Sequence, residues 1–323
     1  MTTVPPPSLE EVAPGVFAYL QLNGQWGLNN AGFILPSHAS NTVAQGPSPG
    51  EGPSPDGVTV IDTCFTERRS RDFAAAVHRT AGDRPVRTLI NTHHHGDHTH
   101  GNFVFGPGTA IVAHEKCREE VIATGLGTKA LWPDTDWGNL EVAPPNITFR
   151  ERLTVHAGDT RVELIFVGPA HTSNDIIAWL PDQRVLFAGD VVFNGGTPFV
   201  VMGSVQGSLE ALKTLRRLDV ETIVPGHGPV CSPAVLFGIE AYLRFVWETA
   251  KRGFDAKVSP LEAARDTDLG PFAALHDSER FVANLHRAYS EMRVEPRAAP
   301  IPLASVMPDM IAYNNGKVPE CLA

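Results

Sequence analysis

The apolar residues of this chain come in short runs bounded by Gly, Pro, Asn or Asp, such as GVFAYLQL from Gly15, NNAGFILP from Asn29, VTVIDTCF from Val58 and VRTLINTH from Val86. Runs of this length with such boundaries read as strands. TERRSRDFAAAVHRTAG, from Thr66, separates two of them; a Thr cap, one helical face carrying Phe73, Ala76 and Val77, and a terminal Gly mark it as a helix. The alternation continues with TAIVAHE as strand and KCREEVIAT as helix, then a Trp-containing loop from Gly127 to Asn146. A second block, ITFRERLTVHAG, RVELIFVGPAH and DIIAWLPDQRVLFAGDVVF, holds at least four strands, the last pair turning at Pro181 and Asp182. A helix then leads into the buried strand ending TIVPGH, and from about residue 233 the pattern is mostly helical. Two similar half-units imply an α/β fold in which two sheets pack face to face with helices outside. We expect a single domain over residues 1–323, with a flexible Gly/Pro/Ser-rich surface insertion at 37–57 and a helical C-terminal extension.

Composition narrows the partners. With 26 basic and 36 acidic residues the net charge is -10, which argues against nucleic acid or an anionic membrane. The first residues, MTTVPPPSLEEVAPG, have neither a basic start nor an apolar segment of signal length, so a cytoplasmic location is expected. Cys64, Cys117, Cys231 and Cys321 are widely spaced and read as reduced thiols, the first two as core residues.

The chemistry lies at the ends of the apolar runs. His93, His95, Asp97 and His98 follow TLIN, His171 follows LIFVGPA, Asp190 follows VLFAG and His227 follows TIVPG. Strand C-termini are where sites assemble in α/β folds. Imidazole and carboxylate are good zinc ligands, and a catalytic zinc takes three protein ligands and an open position, so this set suffices for two ions. In a tight turn, His93 and His95 can converge on one ion while Asp97 and His98 reach a neighbour, with Gly96 permitting the backbone path. His94 and His100 fall outside that pattern and are expected behind the ligands or facing solvent.

HHHGDH carries the His-x-His-x-Asp-His signature of the metallo-β-lactamase superfamily, and GPAHTSND, LFAGDVVF and VPGHGPV resemble that family's remaining ligand motifs in order, over roughly Gly15 to Val230. The resemblance implies a four-layer αββα sandwich and two Zn²⁺. His93, His95 and His171 would hold the first ion, Asp97, His98 and His227 the second, with Asp190 bridging. The best-known zinc β-lactamases carry Cys or Ser where this chain has Asp190, which looks instead like the thioesterases, lactonases and other non-lactamase members.

Two such ions lower the pKa of a shared water from about 15.7 to about 7 and polarise a carbonyl. Asp97 is the expected proton acceptor, hence the catalytic residue. Trp26, Trp132, Phe193, Phe199 and Met202 are the candidate substrate contacts, with Trp137 in the same loop as Trp132; they imply a flat, largely apolar small molecule. NNAGFI, THHHGDHTHGN and NGGTPFVVMGSVQGSLEAL are similar to lactamase-type cyclases of aromatic polyketide pathways. That likeness makes intramolecular aldol condensation with loss of water the leading expectation. The alternatives are hydrolysis of a thioester, lactone or related ester, and a non-catalytic metal-binding module. The C-terminal helices either cover the sheets or form a homodimer interface.

Overall fold

The computed structural model describes residues 4–36 and 57–323. Apart from Gly57, the expected surface insertion lies outside the described residues. One sheet runs in sequential order through β1 (Ser8–Ala13), β2 (Val16–Leu20), β3 (Ala31–Ile34), β4 (Val58–Ile61), β5 (Val86–Ile90), β6 (Ala110–His114) and β7 (Ile147–Phe149). The other has the order β12 (Thr222–His227), β11 (Val185–Phe193), β10 (Ile176–Leu180), β9 (Thr160–Phe166) and β8 (Arg152–Ala157). Helices α1 (Glu67–Ala81), α2 (Gly96–Thr99), α3 (Glu115–Thr124) and α4 (Val205–Leu215) lie between strands. Beyond β12 come α5 (Val235–Asp255), α6 (Pro260–Arg265), α7 (Arg280–Met292) and α8 (Leu303–Tyr313), as the sequence pattern implied.

The four layers follow from period-two alternation, which sends successive side chains to opposite faces of a strand. On β2, Val16, Ala18 and Leu20 enter the core between the sheets, while Phe17 and Tyr19 face outward toward α1. On β11, Val185 and Phe187 point into that shared core and Leu186 and Ala188 point out under the later helices. Helix α1 buries Phe73, Ala76 and Val77 on the first sheet, beneath the Thr66 cap. The second sheet is covered by α4, α5 and α7 through residues such as Leu212, Leu243, Phe281 and Leu285. This is the expected αββα sandwich.

Two details depart from the sequence reading. Strand β1 has no apolar alternation, because SLEEVA lies at the sheet margin with one neighbour and mostly exposed or half-buried side chains. ITFRERLTVHA is also two strands in different sheets: β7 pairs with β6, the chain crosses at Arg150 and Glu151, and β8 pairs with β9. A continuous run of strand-forming residues carries no mark of that crossing.

Close approach of the sheets requires Gly32, whose α-carbon faces the Phe187 ring across the core; a methyl there would overlap the ring. Gly32→Ala is therefore expected to destabilise the fold by about 1–3 kcal/mol through overpacking. A urea midpoint identical to that of the parent protein would refute the assignment of this contact.

Candidate metal centre

The seven His and Asp side chains come together at one margin of the sandwich. The candidate ligand atoms of His93, His95, His171 and Asp190 all lie within 4.8 Å of one another, as do those of Asp97, His98 and His227. Asp190 stands between the groups: Oδ2 is 3.3 Å from Nε2 of both His171 and His227, and Oδ1 is 3.1 Å from His98 Nε2. Contrary to expectation, Asp190 is not at a strand end. It lies inside β11, where the pairing with β12 is irregular, and Gly226 leaves room for its carboxylate, since a Cβ there would strike Oδ1.

Four of the five histidines in the cluster are oriented from behind. His98 Nδ1 donates to Asp62 Oδ2 at 2.9 Å, His227 Nδ1 to the Gly24 carbonyl at 3.1 Å, and His171 Nδ1 to the Phe199 carbonyl. Thr92 Oγ1 donates to Asp62 at 2.7 Å, which leaves it to accept from His93 Nδ1 at 3.1 Å. With Nδ1 engaged in all four rings, each Nε2 points inward, where a neutral ring offers its lone pair as a ligand. His95 is turned the other way, its Nδ1 2.8 Å from His171 Nε2 and its Nε2 against the Met202 sulfur at 3.1 Å. His93 Nε2, His98 Nε2 and Asp190 Oδ1 are buried without a hydrogen-bond partner. Converging lone pairs and carboxylates with orphaned acceptors fit bound divalent cations.

The local backbone builds this arrangement. Asn91 Nδ2 and the Thr63 hydroxyl both donate to the His98 carbonyl at 3.0 Å, fixing the turn into α2. Gly96 serves differently from the expectation: its φ is not positive, and its missing side chain makes room for the His100 ring. Asp175 shapes the His171 turn by accepting from Ala170 N, Thr172 N and the Thr172 hydroxyl at 3.1, 2.9 and 2.7 Å. His94 and His100 are buried, not solvent-facing; His94 meets Asn174 at 3.0 Å and His100 stacks on Phe65.

Burial dominates the electrostatics of His93 and His95 and holds both well below the ordinary imidazole pKa, which keeps them neutral as ligands must be. Burial also acts downward on His98 and His227, but the surrounding carboxylates outweigh it. Asp190, Asp62 and Asp97 raise His98 well above the usual range, and Asp190 with Asp97 pushes His227 up to about 9. Burial acts upward on Asp97 and Asp190, yet the imidazoles around them hold both below the carboxylate range, so both are ionised.

The cluster lies at one end of an open cavity whose empty space, mouth included, is about 610 Å³. Trp26, Trp132, Phe193, Phe199 and Met202, all singled out from sequence, line it, together with Asp97, Asp190 and His227. Trp137 does not; it packs edge-on against Phe65 and donates to the Trp132 carbonyl. Phe65, Leu131, Arg280 and Leu303 also line the cavity and escaped the sequence reading, as did Asp62 behind His98. Asp62 had a signal, since it ends the apolar run VTVI as the other site residues end theirs. Arg280 had none, because an arginine in an amphipathic helical segment reads as solvated.

A family model described as the metallo-beta-lactamase superfamily matches residues 52–227, more than half of the chain. The chain belongs to the metallo-beta-lactamase superfamily. Members of this superfamily are mostly zinc hydrolases, and the His/Asp cluster of this one could hold metal ions. Among its relatives is the 2,4-dinitroanisole O-demethylase subunit alpha of Nocardioides sp., 27% identical over 268 residues, 80% of this chain and 72% of that protein. The hydroxyacylglutathione hydrolase of Rhodospirillum rubrum is 26% identical over 154 residues, 48% of this chain and 52% of its own length. A solved metallo-beta-lactamase from Pontibacter korlensis shares the fold with a TM-score of 0.56 and 19% identity, over 74% of this chain and 99% of that one. Among the described residues no helix is long and apolar enough to cross a membrane.

Asp62 tests the view of the cluster as a metal-lactamase-type centre. Asp62→Asn keeps the shape but removes the charge behind His98, and metal affinity is expected to fall about 10- to 100-fold. Competition against a chromogenic chelator measures this; an unchanged affinity would show that the carboxylate does not tune its imidazole.

Proposed function

We propose that the protein is a dinuclear zinc hydrolase acting on a small substrate with a flat, largely apolar group. The observation that carries this reading is the shared cavity: His95, Asp97, His171, Asp190 and His227, with His93 and His98 buried behind them, close one end of a space walled mainly by aromatic and aliphatic side chains. His93, His95 and His171 would hold one ion and Asp97, His98 and His227 the other, with Asp190 reaching both. Ions so held supply an acidified water and polarise the scissile group.

This chain's residues do the rest. The Asp97 side chain is 16% exposed against 4% for Asp190, so it is the carboxylate that can meet substrate and water at the cavity floor. The imidazoles beside it keep it ionised, so that it can orient an attacking water by accepting a hydrogen bond. Trp26 and Trp132, tilted with centroids 5.7 Å apart, and Phe199, edge-on to Trp26 at 5.2 Å, exclude bulk water and favour a planar group. An ester, thioester or lactone provides the bond to be cleaved. An aryl ether joins that set because the relative covering most of this chain bears an O-demethylase name.

The ring closure expected from the polyketide-cyclase phrases would use the same carboxylate and cavity. Neither relative reported above bears such an activity in its name, and hydrolysis is therefore the reading adopted.

Zinc-loaded protein is to be assayed on a panel of aryl esters, aryl thioesters, aryl lactones and aryl methyl ethers. Turnover of at least one is expected, abolished by a chelator and lowered about 10²- to 10⁴-fold in Asp97→Ala. No turnover across the panel by protein shown to hold two zincs, with conversion of a first-ring-cyclised polyketide intermediate instead, would replace hydrolysis by cyclisation.

A further inference from the structure

The family match ends at His227, but the cavity does not. One of its walls depends on the residues around the start of α7. Trp26 Nε1 donates to Glu279 Oε1 at 2.7 Å, and Gln25 Nε2 donates to Asp277 Oδ1 at 3.2 Å. The Arg280 guanidinium carbon lies 4.0 Å from the centre of the Trp26 ring and 5.3 Å from that of Phe193, which stacks on His227 at 5.2 Å and 6°. Imidazole, phenyl, guanidinium and indole thus follow one another from the metal cluster to the outer wall. Arg280 is held in turn by Asp277 at 2.9 Å and by the Thr197 carbonyl at 3.1 Å, and only 2% of it is exposed. Nearer the end of the chain, Leu322 N donates to the Trp26 carbonyl at 3.0 Å and Trp132 Nε1 to the Pro319 carbonyl at 2.7 Å.

A tryptophan in a glycine-rich loop is ordinarily free to swing, because the flanking glycines resist it little. Gly24 and Gly27 flank this one, both at positive φ. Here the indole is fastened at its nitrogen, across its face and at its backbone by residues more than two hundred positions away. A wall fixed in advance costs a ligand no ordering entropy, and its spacing from the metal cluster selects for thickness.

We propose that the segment beyond the family core sets substrate selectivity, with Glu279 and Arg280 as positioning residues that lock Trp26 into a slot admitting a single planar aryl group beside the metal centre. This deepens the proposed function in naming the substrate class, and rests on that reading for the presence of the ions.

The test uses binding, so that it stands apart from turnover. Cobalt-substituted protein is titrated with 2-phenylethanethiol and with ethanethiol, following the cobalt absorption bands. The parent protein is expected to prefer the aryl thiol by about tenfold, the scale of one good aromatic contact. In Glu279→Ala and in Arg280→Lys that preference should shrink toward unity with the ethanethiol affinity unchanged, whereas Glu279→Gln, which keeps an acceptor for the indole, should retain it. No aryl preference in the parent, a preference untouched in both Glu279→Ala and Arg280→Lys, or a parallel loss of both affinities would overturn the proposal. Failure of the hydrolysis panel with the aryl preference intact would count against the reaction and leave the slot standing.

Discussion

The constraint on which the site depends is the accumulation of inward-facing acceptors in a buried space. The Nε2 atoms of His93, His98, His171 and His227 and the carboxylates of Asp97 and Asp190 converge where there is almost no solvent. Such a set is strongly unfavourable unless positive charge compensates it, because burying unpaired acceptors and like charges costs several kcal/mol per group. Divalent cations would meet that need, and such ions can keep an open position for chemistry. The hydrogen bonds behind the rings, from Asp62, Thr92, Gly24 and Phe199, make sense as the means of holding every acceptor on the same point.

The fold answers that constraint by drawing ligands from both sheets. His93, His95, Asp97 and His98 leave the first sheet after β5, whereas His171, Asp190 and His227 belong to the second. The shared core, where Phe187 meets the space left by Gly32, therefore sets the spacing of the ligand groups as well as the stability of the sandwich. Asn30 ties the loop between β2 and β3, which carries Trp26, to the end of β12 by donating to the Pro225 and Gly228 carbonyls at 2.9 and 2.7 Å, so the aromatic wall and the ligand-type residues share one frame.

Much of this was legible in the sequence because it is written in local patterns. Strands β2 and β11 are short apolar runs with turn-forming boundaries, and most of the ligand-type residues stand with turn residues after such runs. The five large apolar residues that line the cavity stand in or beside Gly- and Pro-rich connections, which is what singles them out in the sequence. What escaped depends on distant parts of the chain. The sheet change at Arg150 and Glu151 is decided by which neighbour each half finds, and Glu279 with Arg280 looks like any charged helix start until the fold sets them against Trp26. Asp190 reads as standing at the end of the apolar run VLFAG, yet the strand continues through it to Phe193.

That placement of Asp190 has a thermodynamic corollary. A carboxylate mounted on a loop could swing toward whichever ion arrived first and leave the other position unchanged. One mounted within a central strand, walled by Gly226 and with an oxygen toward each half of the cluster, stays put when either position fills. If each position takes an ion, occupancy at one would alter the charge felt at the other through a single shared residue, so the two uptake steps would be energetically linked and need not have equal dissociation constants.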